Sequence, residues 1–224
     1  VNPALIGRHL PANFVIAAKV EDTWYALPAD KTNGTHTPVE ISVDDSSNPS
    51  TATTSEANAF PLHQQTSTVI SSGNGQYVKL AMHGQSNAPL KGDASGTGIG
   101  KGQGTNIDND QTVDYWWALT QKNTSITNAA DAKYNVSVAN GNTNNPLKIW
   151  LNAGGTGVPK WGLYSSASNI ITEIRLLTWV ASCSAPDAPT ISGTTAYTYG
   201  GTITLTAVCA SGTDASTTYT WYKG

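Results

Sequence analysis

The chain has 224 residues, with 12 basic against 15 acidic side chains for a net charge of −3, and it is 38% hydrophobic but only 12% charged. Charged residues usually fill about a quarter of a globular domain; here Thr, Ser, Asn and Gly take their place, beside seven Trp and nine Tyr. That excludes a helical bundle, which needs apolar residues at 3.6-residue spacing. It also shows no basic stripe of the kind nucleic-acid binders carry, and no apolar run near the roughly 18 residues that span a bilayer.

Taken from the N-terminus, Val1 opens without a basic or apolar leader, which reads as a mature or trimmed chain. Predicted strands follow at 14–20, 24–27, 39–43, 68–70, 77–80, 115–119, 134–138 and 147–151, rich in β-branched and aromatic residues. Turn signals bound them at Asn33-Gly34, Gly73-Asn74-Gly75, Asn140-Gly141 and Gly154-Gly155. The segment Ile170 to Leu177 reads as a further strand.

An internal repeat organises these strands. Residues 77–91 align without a gap on 134–148, with identities at Tyr77/Tyr134, Gly84/Gly141, Asn87/Asn144, Pro89/Pro146, Leu90/Leu147 and Lys91/Lys148. A looser copy runs from Tyr25 through Gly34 to Pro38 and Val39, and each copy leads to an aromatic-x-Leu pair: Phe60/Leu62, Trp117/Leu119 and Trp161/Leu163. A repeat of this kind outweighs local propensity in fixing an architecture. Three four-strand units in residues 1–180 predict an all-β, β-trefoil-like closed barrel with a threefold internal repeat. Its expected layers are Val39/Leu90/Leu147 and Phe60/Trp117/Trp161. The further strand at 170–177 leaves a differently closed barrel open as the other reading.

Residues 181–189, Pro- and Ser-containing, read as a linker. In 190–224 the alternation Ile203, Leu205, Ala207, Cys209 has the period of a strand, and Trp221 lies twelve residues after Cys209. This resembles the opening of an immunoglobulin-like β-sandwich module of the kind strung along secreted and surface proteins of Bacteroidetes. The resemblance implies an incomplete sandwich, since such a fold takes about 100 residues, and hence a longer natural protein. Tyr115 to Leu119, Ile126 to Asn128 and Tyr134 to Val138 resemble a β module of the same bacterial proteins. That second resemblance implies a cellular setting, secreted or on the cell surface, and no particular activity.

Candidate chemistry is sparse. Gly96 to Gly104 lacks the Gly-Lys-Ser/Thr ending of a phosphate loop, because Gly102 follows Lys101. Asp108, Asp110 and Asp114 alternate in one segment as oxygen ligands for calcium would, without the Gly and Glu of a complete loop; a solvated acidic turn is the plainer reading. The histidines His9, His36, His63 and His83 have no metal spacing, and no catalytic nucleophile, acid–base pair or cofactor motif is present. Cys183 and Cys209 form a candidate disulfide or stay as separate thiols. Sequons stand at Asn33, Asn123 and Asn135.

The aromatic residues say more. If Trp117 and Leu119 face the core, alternation turns Trp116 outward; if Leu147 and Ile149 face in, Lys148 and Trp150 face out. A flat apolar indole beside Asp110, Asp114 and Lys148 has the make-up of a sugar site. The alternative is packing of these indoles under a loop or a neighbouring module. The expected function is a non-catalytic extracellular binding module, with a glycan or an extracellular protein as partner. Its rivals are a structural or adhesive spacer, and an accessory region of an extracellular hydrolase.

Overall fold

The computed structural model describes residues 12–29, 32–65, 76–93, 98–102, 107, 113–123, 126, 131–139, 145–165, 168–181, 203–208 and 216–221. It is all-β, with no α-helix among the described residues. The chain divides into two units, Val1–Val180 and Ala181–Gly224.

Among the described residues the first unit holds fourteen strands. They are β1 (Asn13–Val20), β2 (Thr23–Ala26), β3 (Val39–Val43), β4 (Thr51–Thr54), β5 (Ala59–Gln65), β6 (Gln76–Met82), β7 (Gln85–Gly92), β8 (Ile99–Lys101), β9 (Trp117–Gln121), β10 (Tyr134–Val138), β11 (Leu147–Trp150), β12 (Lys160–Leu163), β13 (Ile170–Ile171) and β14 (Ile174–Ala181). Eleven of them form one sheet in the order β5-β1-β2-β3-β4-β14-β10-β9-β6-β7-β8, with β5–β6 and β1–β14 paired as well. Those extra pairings close a circuit of six antiparallel strands, β1-β14-β10-β9-β6-β5 and back to β1.

Alternation explains what the circuit encloses. Each of its strands sends every second residue to one core: Phe14, Ile16 and Ala18; Phe60 and Leu62; Val78, Leu80 and Met82; Trp117 and Leu119; Tyr134, Val136 and Val138; Ile174 and Leu176. The hairpins β7–β8 and β11–β12 add Leu90, Ile99, Leu147, Ile149, Trp161 and Leu163 to the same core. Two buried indoles are anchored by hydrogen bonds, Trp117 Nε1 to the Leu90 carbonyl at 2.9 Å and Trp161 Nε1 to the Ala26 carbonyl at 3.0 Å. The segment between β2 and β3 ties the hairpins together. Gly34 bridges Ile99 of β8, His36 bridges Trp161 of β12, and His36 Nε2 donates to the Ile99 carbonyl at 2.8 Å.

A second circuit shares two strands with the first. β1, β2, β3, β4 and β14 also pair in a closed round, around a smaller core of Val15, Ala17, Trp24, Ala26, Ile41, Ala52, Ala59 and Leu177. β1 is therefore buried on both faces, which is why its run of apolar residues does not alternate with polar ones. The β3–β4 turn is fixed by Asp44, whose carboxylate accepts from the Ser50 hydroxyl and the Ser50 and Thr51 amides. The Ser50 hydroxyl bond, with the Thr51 amide next, pulls the Asp44 pKa down to about 2.

The repeat is in part out of phase with these strands. Tyr77 and Tyr134 lie on β6 and β10, both circuit strands, whereas Tyr25 lies on β2, which is outside the six-strand circuit. Phe60 and Trp117 lie on circuit strands β5 and β9, whereas Trp161 belongs to the separate sheet β12-β11-β13. Val39 lies on β3, not on the strand that corresponds to β7 and β11, and is only half-buried. The segment Ile170 to Leu177 is broken at Thr172 and Glu173, where the chain leaves the three-stranded sheet for β14. The predicted strand at 68–70 lies outside the described residues.

In the second unit, β15 (Ile203–Val208) and β16 (Ser216–Trp221) pair antiparallel, with Ile203 opposite Trp221 and Leu205 opposite Tyr219. Strands B and C of an immunoglobulin sandwich belong to opposite sheets, so this direct pairing gives the expected B–C arrangement no support. Cys183, Cys209 and residues 182–202 lie outside the described residues.

Candidate functional site

The predicted site residues fall in three places. Trp116 follows a 3-10 turn, Val113–Tyr115, and immediately precedes β9. It does turn away from the core that holds Trp117, as alternation requires, but it does not reach solvent: it is 1% exposed. Lys79, itself fully buried on the outward side of β6, places its ammonium 4.7 Å from the centre of the Trp116 ring and donates to the Ile107 carbonyl at 2.6 Å. A cation over an indole face is attracted by the ring quadrupole. Ile107, which lies between β8 and β9 in the chain, thus meets the outward side of β6 through Lys79. The expectation of an exposed Trp116 is corrected: it points outward from the core that holds Trp117 but is buried beside Lys79 instead of meeting water.

Asp114 stands on the same 3-10 turn, 4.0 Å from the Lys91 ammonium of β7. Asp108 and Asp110 lie outside the described residues. Among the described residues no cluster of three or more His, Cys, Asp or Glu side chains has the arrangement of a metal site.

Lys148 and Trp150 lie together on β11. Leu147 and Ile149 face the core as expected, which sends Lys148 and Trp150 to the opposite side. The expectation that Lys148 is exposed is also corrected, for it is only 8% exposed and donates to the Ser165 carbonyl at 2.7 Å. Burial, with the like charge of Lys122 second, lowers its pKa. Trp150 is half-buried. Its Nε1 donates to Asn169 Oδ1 at 2.8 Å, and its ring meets Tyr164 edge-on at 5.4 Å and 74°. Ser165 and Asn169, between β12 and β13, are thus each held by one of the two side chains that alternation turned outward.

The same alternation applied to β12 reveals residues that were not singled out. With Trp161 and Leu163 in the core, Lys160, Gly162 and Tyr164 share the outer side with Lys148 and Trp150. Lys148 pairs with Gly162 and Trp150 with Lys160. The spacing of Trp161 and Leu163 carried that signal. Nothing in the sequence placed Lys122 or Asn169 beside them, since that proximity is tertiary. No hydrogen bond or ion pair among the described residues joins Trp116 or Asp114 to Trp150 or Lys148, so one site containing all of them is not assembled.

No protein-family model and no curated protein matches this chain. No helix among the described residues is long and apolar enough to cross a membrane.

Proposed function

We propose that this chain is a non-catalytic binding module of a secreted or cell-surface protein, and that its ligand is a glycan held on the outer face of the β11–β12 hairpin. The carrying observation is Trp150: a half-buried indole fixed in orientation by Asn169 and Tyr164, with polar side chains around it. A preset aromatic ring with adjacent hydrogen-bonding groups suits the apolar face and hydroxyls of a sugar, and fixing it beforehand lowers the ordering cost of binding. The low charge and the abundance of hydroxyl and amide side chains fit an extracellular setting, as does the resemblance to modules of Bacteroidetes surface proteins. Screening the whole chain on a glycan array beside Trp150→Ala tests the reading. Spots bound by the native chain and lost in the variant are expected; signals that survive the substitution unchanged would place the ligand elsewhere.

A spacer is the second reading, favoured by a specific observation: Trp116 and Lys148, two of the side chains expected to meet a ligand, are buried. A glycan array blank for the native chain would favour it.

The β-trefoil belongs with this proposal. Three observations support it: the six-strand circuit, the strands β2–β3, β7–β8 and β11–β12 inserted after its first, third and fifth members in chain order, and the backbone bridges of Gly34 and His36 that link these hairpins. The units then run β1 to β5, β6 to β9 and β10 to β14, with β4 and β13 as additions. In a crystal structure these units should superpose by rotations of about 120°. Rotations far from equal would leave an all-β fold of another kind. The incomplete immunoglobulin-like reading of residues 190–224 rests on the sequence alone.

A further inference from the structure

Positive charge on the outer face of β11–β12 has no acidic partner among the described residues of the unit. Lys19, Lys91, Lys133 and Arg175 each have a carboxylate within 4.0 Å. Lys148, Lys160 and Lys122 have none among the described residues: Lys148 bonds to the Ser165 carbonyl, Lys160 to the Thr37 hydroxyl at 2.6 Å, and Lys122 acts on Lys148 only as a repelling charge. An ammonium carries three donors, so each of the two hydrogen-bonded lysines keeps capacity for an acceptor. In a chain of net charge −3, Lys148 and Lys160 on one hairpin face, with Lys122 near enough to repel Lys148 and no carboxylate on any of them among the described residues, form a local field opposite in sign to the whole.

A polar group without a partner sits in the same place. A Cβ at Gly162 would stand 2.7 Å from the Tyr164 ring and 2.8 Å from its hydroxyl, so the phenol lies across the glycine, opposite Lys148. Tyr164 is 5% exposed and its hydroxyl has no hydrogen-bond partner. Buried hydroxyls are nearly always hydrogen-bonded, and an orphan beneath a basic, aromatic surface marks a place where an oxygen-rich ligand completes the bonding.

We infer that the β11–β12 face takes an anionic saccharide, its ring stacked on Trp150 and its carboxylates met by Lys122 and Lys160, with the charge of the buried Lys148 behind them. This rests on the glycan reading above and narrows it to acidic sugars. A neutral sugar would use the indole and leave the lysine charges as they are.

The test is affinity electrophoresis of the whole chain in gels holding polygalacturonate or, separately, the neutral polymer pullulan. Retardation by polygalacturonate alone is expected, weakening as salt rises because exposed charges are screened. Trp150→Ala should weaken it about three- to tenfold. Since that variant also frees Asn169, the double variant Lys122→Gln/Lys160→Gln is the second arm. It should keep the native circular dichroism and still lose about tenfold or more in affinity at low salt. Undiminished binding by the double variant overturns the inference. Equal retardation by pullulan, lost in Trp150→Ala, overturns the acidic preference and leaves the glycan reading standing. Failure of both polymers to retard the native chain overturns the inference, and a blank glycan array beside it removes the glycan reading too.

Discussion

Trp116 and Trp150 separate two meanings of an outward-facing side chain. Alternation from the buried Trp117 and Ile149 gives both directions correctly. It cannot say that Trp116 is buried beside Lys79 while Trp150 stays partly open, because that depends on contacts distant in sequence. Trp116→Ala should therefore behave as a core truncation, costing roughly 3–5 kcal/mol in urea unfolding. Trp150→Ala, which loses one hydrogen bond and one edge contact, should cost about 1–2 kcal/mol. Similar losses for the two would contradict this contrast. Tyr164 gives a pH signature. Burial pushes its pKa up to about 12 from 10.0, so the folded chain favours the neutral phenol. Its contribution is complete below about pH 10 and is lost as pH rises toward about 12. Tyr164→Phe should flatten that loss without abolishing it, because burial also raises the Tyr134 pKa. Lys148, shifted the opposite way, is the same in both proteins and drops out of the comparison. At neutral pH the variant should be as stable as the native chain or up to about 1 kcal/mol more so, since an unpaired buried hydroxyl is removed. A clear loss of stability at neutral pH would mean that the hydroxyl has a partner.

At the scale of elements, the two close copies of the repeat were legible because they align without a gap, although their strands differ in length: β6 and β7 have seven and eight residues, β10 and β11 five and four. In the second copy, Gly84 adopts φ 67 in the two-residue turn between Met82 and Gln85, a conformation that glycine takes without strain. The first copy was misphased. Its second and third strands are separated by the bridging segment of residues 27–38, and β4 is added before β5, so the Tyr-to-Pro pattern matched a hairpin strand where a circuit strand was needed. Gly92 shows how tightly the elements meet. A Cβ there would lie 2.3 Å from Val138 Cγ2, 3.1 Å from the Trp117 ring and 3.3 Å from Leu163 Cδ1. Val138 is β-branched and stiff, so it cannot yield cheaply. Gly92→Ala should cost about 1–3 kcal/mol, read as a lowered urea midpoint with an unchanged slope. A neutral result would mean that β7 and β10 are less closely packed than this.

For the molecule as a whole, the all-β class was legible from composition, because hydroxyl-rich, aromatic-rich strands separated by Gly and Asn turns leave no helical stripe. The sharing of β1 and β14 between two closed circuits was not, since both faces of β1 are apolar and sequence periodicity cannot tell which face meets which core. The proposed binding surface was half legible: Lys148 and Trp150 were found, while Tyr164, Lys160 and Lys122 join them only through the pairing of β11 with β12 and through tertiary proximity. The account stands on Trp150 being the ligand-contacting indole while Trp116, Trp117 and Trp161 hold the structure. The direct measurement follows the indole N–H resonances of the ¹⁵N-labelled chain during titration with oligogalacturonate, with maltotriose as the neutral control. Assigned by its disappearance in Trp150→Phe, the Trp150 signal should shift progressively with oligogalacturonate while those of Trp116, Trp117 and Trp161 stay in place. A Trp150 signal that never moves, or a shift confined to Trp116, would contradict the account.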